Sequence, residues 1–165
     1  MENTGLWRVV RATALVAVTL LAPSCGPGES AGPPPPLEPV AEVHDLMHDL
    51  IYPHAEVFWD SVGTIIDMEG THEIRPGNED QWETVVQSAL TVAEAGNLLM
   101  LEGRARDAGP WLEHATALGE AATRGLEAAR NRDADAVFEI GGDVYYACNG
   151  CHEDYWEKPP SAMRP

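Results

Sequence analysis

The sequence predicts an all-α domain, folded as an antiparallel bundle of four helices. Four segments repeat apolar residues every three or four positions, which is the spacing of one face of an α-helix. Connections rich in glycine and proline separate these segments, and no segment alternates apolar and polar residues as a strand does. Helices of similar length joined by short connections favour antiparallel packing between neighbours.

The first helix is predicted from about Val40 to Asp67, with its apolar side chains mostly on one side. Pro53 interrupts this segment. Because proline has no N–H and its ring crowds the carbonyl of Asp49, we expect a kink or a short break there. A loop through Gly70 and Gly77 follows.

The other three helices have clear starting signals. The second is predicted over roughly Glu79 to Glu102. Pro110 suits the first position of the third helix, which continues to about Asn131. Asp133 is a typical N-cap and starts the fourth helix. The residues of the fourth helix expected to face inward are Val137, Ile140, Val144, Cys148, Cys151 and Tyr155.

The chain carries one sharp motif, Cys148-Asn149-Gly150-Cys151-His152, near the end of the fourth helix. Two cysteines three residues apart, followed by a histidine, form the pattern for covalent attachment of c-type haem. The two thiols would each form a thioether bond with one porphyrin, and the imidazole would bind its iron. A redox dithiol belongs instead at the start of a helix after a strand, and a zinc site needs a second ligand pair. The motif therefore predicts one covalent haem c.

The N-terminus predicts export from the cytoplasm, and attachment of haem c takes place outside the cytoplasm. Residues 1–24 are expected to be a signal peptide, with Arg8 and Arg11 as its basic region and Ala12 to Ala22 as its apolar stretch. This apolar stretch is too short to span a bilayer. We therefore expect the mature protein in the periplasm.

Leu21-Ala22-Pro23-Ser24-Cys25 looks like a bacterial lipoprotein processing site, which would place a lipid on Cys25. The alternative is ordinary cleavage nearby, which leaves this cysteine free or removes it. Residues 25–39 are rich in proline and are predicted to form an extended tether. The predicted folded domain is residues 40–165, held at a membrane by the lipid anchor.

From about Val40 to Trp156 the chain resembles the class II c-type cytochromes, the cytochrome c-prime group and its low-spin four-helix relatives. This family has four helices with Cys-x-x-Cys-His near the C-terminal end of the fourth. The resemblance depends on the haem motif and on Tyr155, three residues after His152. A basic residue commonly follows that aromatic residue in the family, whereas Trp156 follows it here. Both aromatic residues lie within one turn of His152 and are candidate haem contacts.

The resemblance also implies that a side chain of the first helix faces the open side of the iron. His44, Met47 and His48 are the candidates. Projected at about 100° per residue, Met47 lies near the centre of the apolar side, so we expect it to be the sixth ligand. A Met/His ligand pair raises the reduction potential, as suits an electron carrier. In the alternative, Met47 only packs in the core and leaves the iron five-coordinate.

The net charge of −17 argues against nucleic acid or an anionic surface as a partner. It favours redox partner proteins with a basic docking face. The expected function is that of an exported mono-haem electron carrier, without enzymatic activity and without catalytic residues. The alternative is a haem sensor or scavenger of a diatomic gas such as nitric oxide. The family resemblance also allows a homodimer through the first two helices.

Overall fold

The computed structural model describes residues 36–156. The predicted signal peptide, Cys25 and most of the proline-rich tether lie outside the described residues. The described part of the chain is mostly helical, with four helices and one small two-stranded sheet. None of the helices in this part is long and apolar enough to cross a membrane.

The first helix covers residues 43–60 and contains a π-helical turn over Leu46–Ile51. After this turn the N–H of Tyr52 donates to the carbonyl of Met47, five residues earlier. Pro53 follows immediately and has no N–H to donate, so the ladder of hydrogen bonds widens where the proline interrupts it. The disturbance predicted at Pro53 takes the form of a widened turn, and the helix continues through it. The α-helical parts on either side are Val43–Asp45 and Tyr52–Asp60.

Two of the predictions for this region are wrong. The first helix ends at Asp60 and not at Asp67, and the domain is not purely α-helical. Strands Gly63–Asp67 and Gly70–Ile74 form an antiparallel hairpin after the first helix. Gly70 has a φ of +135°, a conformation that favours glycine.

The sequence pattern does not predict the hairpin because almost all of its residues are exposed on both faces. A strand shows alternation of apolar and polar residues only when one of its faces packs on a core. The remaining sequence signal is the content of β-branched residues. Those in the two strands are Thr64, Ile65, Ile66, Thr71 and Ile74.

The remaining helices start where the sequence predicts. The side chains of Asn78 and Asp133 accept hydrogen bonds from backbone N–H groups at the starts of the second and fourth helices. Pro110 occupies the first turn of the third helix, as predicted. The second helix ends at Leu99 and not near Glu102. The bounds of the three helices are Glu79–Leu99, Pro110–Arg130 and Ala134–Tyr155.

The core contains apolar side chains from all four helices, and glycines allow the helices to approach closely. A Cβ on Gly96 would lie 2.7 Å from the carbonyl oxygen of Ala115, where the second helix meets the third. A Cβ on Gly125 of the third helix would lie 2.7 Å from Cζ of Phe58, which is 2 % exposed. These contacts fix the separations between the helices.

The first and fourth helices run in opposite directions. Trp59 Nε1 donates to the carbonyl of Gly141 at 2.9 Å, and Val62, two residues after the end of the first helix, borders the same groove as Val137, one turn before Gly141. The start of the first helix therefore lies at the same end of the domain as the end of the fourth. Arg104, in the connection after the second helix, donates to the carbonyl of Ala41 at 3.1 Å and so ties the start of the first helix to this connection.

Candidate functional site

Cys148, Cys151 and His152 lie in the last two turns of the fourth helix, which ends at Tyr155. Side chains three and four residues apart are neighbours on a helix, with Cβ atoms about 5–6 Å apart. The structure therefore brings the two thiols and the imidazole together in one compact group. All three side chains are half-buried, and Cys148 packs against the hydrophobic core.

The two thiols have the electrostatics of unreactive cysteines. Burial, followed by the neighbouring Cys151, raises the pKa of Cys148 to about 11. The pKa of Cys151 is also raised, first by burial and then by Asp154, while Arg106 acts in the opposite direction. Both groups are therefore thiols at neutral pH. A catalytic dithiol needs a lowered pKa and commonly lies at a helix N-terminus, so this site does not resemble one.

His152 is suited to bind a metal. Burial lowers the pKa of its imidazole, which favours the neutral form with a free nitrogen lone pair. Its ring lies edge-on to the ring of Trp156, with 4.8 Å between the centroids. Trp156 is thus the aromatic residue that contacts the candidate ligand.

Tyr155 anchors the end of the fourth helix. Its ring packs edge-on against Trp111 at 5.0 Å, and its hydroxyl donates to the carboxylate of Asp107. That carboxylate also accepts from the N–H groups of Gly109 and Trp111. The hydrogen bond with Tyr155 lowers the pKa of Asp107 and raises the pKa of Tyr155 to about 12.

His114 of the third helix forms a second link to the motif. Its Nε2 lies 2.8 Å from a carboxylate oxygen of Asp154, and a Cβ on Gly150 would lie 3.5 Å from its ring. Asp107, Trp111 and His114 were not among the predicted site residues. They lie about 40 residues before the motif in the chain, so the local pattern that identifies the haem motif does not include them.

Met47 is partly buried and packs against the core, whereas Leu46 beside it is only 4 % exposed. Leu46 is therefore more deeply buried than Met47, which a regular helical projection places near the centre of the apolar side. A π-helical turn takes one residue more than an α-helical turn, so the residues before it are rotated away from a regular projection. The other two candidates, His44 and His48, point into water, with side chains 87 % and 75 % exposed.

The position of Met47 along the domain axis can be obtained from the contact between the first and fourth helices. Met47 precedes Trp59 by twelve residues, and His152 follows Gly141 by eleven. At 1.5 Å per residue these separations are about 18 Å and about 16 Å. Because the helices are antiparallel and Trp59 bonds to Gly141, Met47 and His152 lie at the same level to within one turn.

The side of the fourth helix that carries His152 faces the first helix. Phe138, Tyr145 and His152 are each seven residues apart and therefore form one stripe. The ring of Tyr145 contacts Trp59, with 6.3 Å between the centroids. A groove of about 400 Å³ lies along this stripe, bordered by Phe138, Tyr145, Trp59 and Val62.

These residues fit a covalent haem. Two half-buried thiols lie next to a neutral imidazole, and the first helix presents a thioether at the same level along the axis. Within residues 36–156 no group of three or more histidine, cysteine or acidic side chains is arranged to hold a metal ion.

Comparison of the chain with protein-family models, with curated proteins and with solved structures gave no match. The functional interpretation therefore depends on the motif and on the geometry around it.

Proposed function

We propose that this protein is an exported mono-haem c-type cytochrome that carries electrons. The observation that carries the proposal is the group formed by Cys148, Cys151 and His152 at the end of the fourth helix. Its two cysteine thiols and its neutral imidazole are the groups that haem c attachment requires. The fold in this proposal is an antiparallel four-helix bundle with haem near the end of the fourth helix, as in the class II cytochromes.

In this proposal Cys148 and Cys151 hold the porphyrin through thioether bonds and His152 binds the iron. When bound, the haem supplies a centre that gains and loses one electron. Cys148 and Tyr155 pack against the hydrophobic core, which limits access of water on that side of the motif. Trp156 lies against the ring of His152 and helps to hold its orientation.

Met47 is the proposed sixth ligand. Three observations support it: its partial burial, its level along the axis, and the orientation of the His152 stripe toward the first helix. His44 and His48 are poorer candidates because both side chains are exposed to water. A thioether ligand stabilises ferrous iron, and the resulting higher potential suits electron transfer.

The proposed setting is the periplasm, with Cys25 as lipid anchor and the proline-rich segment as tether. The chain has a net charge of −17. Arg75, Arg124 and Arg132 form ion pairs with carboxylates, and Arg104 is buried. The proposed partners are redox proteins with basic docking faces, attracted by the excess of carboxylates.

Absorption spectroscopy of the exported protein, in its oxidised and reduced forms, tests this function. An electron carrier with Met47 bound gives low-spin spectra, cycles reversibly between both forms and does not respond to carbon monoxide. Met47→Ala removes the methionine-to-iron band and lowers the reduction potential, whereas the neighbouring Leu46→Ala keeps the band. A high-spin spectrum that changes with carbon monoxide, identical in wild type and Met47→Ala, contradicts Met47 ligation and supports the gas-binding alternative.

A further inference from the structure

The exposed side of the first helix carries two histidines that neither the core nor the haem motif uses. His44 and His48 are four residues apart, and their rings stack with 6.2 Å between the centroids and 8° between the planes. Both side chains are mostly exposed, at 87 % and 75 %. Two imidazoles at this spacing on one helix face can bind the same metal ion, as in the zinc motif His-Glu-x-x-His.

The carboxylates beside these rings leave the correct nitrogen free. Nδ1 of His48 lies 2.7 Å from the carboxylate of Asp49, and Nδ1 of His44 lies 3.4 Å from that of Asp45. A histidine that binds a metal usually donates its other N–H to a carboxylate, which fixes the tautomer and the ring orientation. With the proton on Nδ1, Nε2 of each ring keeps the lone pair that binds a metal.

We propose that His44 and His48 form a binding site for a divalent transition metal, with Cu²⁺ as the ion held most tightly. Imidazole nitrogens suit copper, nickel and zinc, and Cu²⁺ has the highest affinity in this series. Calcium and magnesium prefer oxygen ligands and are not expected to bind. The carboxylates of Asp45 and Asp49 add negative charge around the ion.

The site supplies two protein ligands and leaves the other positions to water. Within residues 36–156 no third histidine, cysteine or acidic side chain completes a metal cluster. Metal–nitrogen bonds of about 2 Å require the two Nε2 atoms to come within about 4 Å of each other. Both side chains are exposed, so they can rotate to this separation without disturbing the core. Such a site exchanges its metal readily and does not depend on the proposed haem.

Titration of the purified full-length exported protein with Cu²⁺ alone tests this site, using protein that carries no histidine tag. Calorimetry gives the affinity, and electron paramagnetic resonance identifies nitrogen ligands. The variants are His44→Gln and His48→Gln. The control is His72→Gln in the hairpin, because His72 is also exposed and also lies beside a carboxylate, that of Asp67 at 3.2 Å.

The proposal predicts one Cu²⁺ with two nitrogen ligands, an affinity at least tenfold lower in either variant, and no change in the control. It is overturned when wild type binds no Cu²⁺, or when both variants bind it as tightly as wild type. The haem content of each sample is measured by absorption. Failure of the copper site is thereby distinguished from failure of the proposed function, since all four proteins should contain equal haem.

Discussion

Replacing Gly125 by alanine should destabilise the protein, although alanine is the better helix former. The substitution alone is worth about 1 kcal/mol in favour of the helix. The new Cβ, however, would lie 2.7 Å from Cζ and 3.1 Å from Cε2 of Phe58, and 3.5 Å from Cγ2 of Ile140. Phe58 is 2 % exposed, so its ring can move only by disturbing the first helix. Overpacking of this kind costs about 1–3 kcal/mol.

The net expectation for Gly125→Ala is a loss of up to about 2 kcal/mol in the free energy of unfolding. Gly142→Ala is the matched control, because a Cβ there would meet no atom within 4 Å. The control should gain up to about 1 kcal/mol. Urea unfolding followed by circular dichroism measures both changes. If Gly125→Ala proves as stable as Gly142→Ala, the close packing of Phe58 on the third helix is wrong, together with the helix positions derived from it.

Three further predictions concern contacts that position the site. Tyr155→Phe removes the hydrogen bond to Asp107. The stability that this bond provides is full below a pH of about 10 and is lost as the pH rises toward 12, and it is also lost as the pH falls below about 4. The free energy of unfolding of the variant should therefore vary less with pH than that of the wild type. Trp59→Phe removes the side-chain donor to the carbonyl of Gly141 and should cost about 1 kcal/mol in urea unfolding; an unchanged midpoint contradicts the contact. Arg104→Ala removes the donor to two backbone carbonyls and should cost about 2–3 kcal/mol, while an unchanged stability would show that the start of the first helix is held by other contacts.

Much of the helical structure follows from the sequence, because the signals that determine it are local. The cap at Asp133 and the proline at Pro110 are both found where their chemistry predicts them. The hairpin was missed because Gly63–Asp67 and Gly70–Ile74 cover no core and so show no alternation. A strand of that kind has no hydrophobic period from which it can be recognised.

In the candidate site, too, the local features can be predicted from the sequence and the tertiary contacts cannot. Its motif is contiguous, so Cys148 and His152 are identified directly from their spacing. The orientation of Met47 could not be predicted because a regular helical projection does not include the π-helical turn at Leu46–Ile51. The anchoring of Tyr155 by Asp107 could not be predicted either, because it depends on how the third and fourth helices pack.

Covalent binding of haem through Cys148 and Cys151 is the proposal on which the other functional proposals depend. Its test is the intact mass of the protein after export from cells that contain a haem c maturation system. We expect the polypeptide plus one haem, retained after denaturation, and no added haem in a Cys148→Ala/Cys151→Ala variant. Protein that reaches the periplasm intact but carries only the mass of the polypeptide would show that no haem is attached.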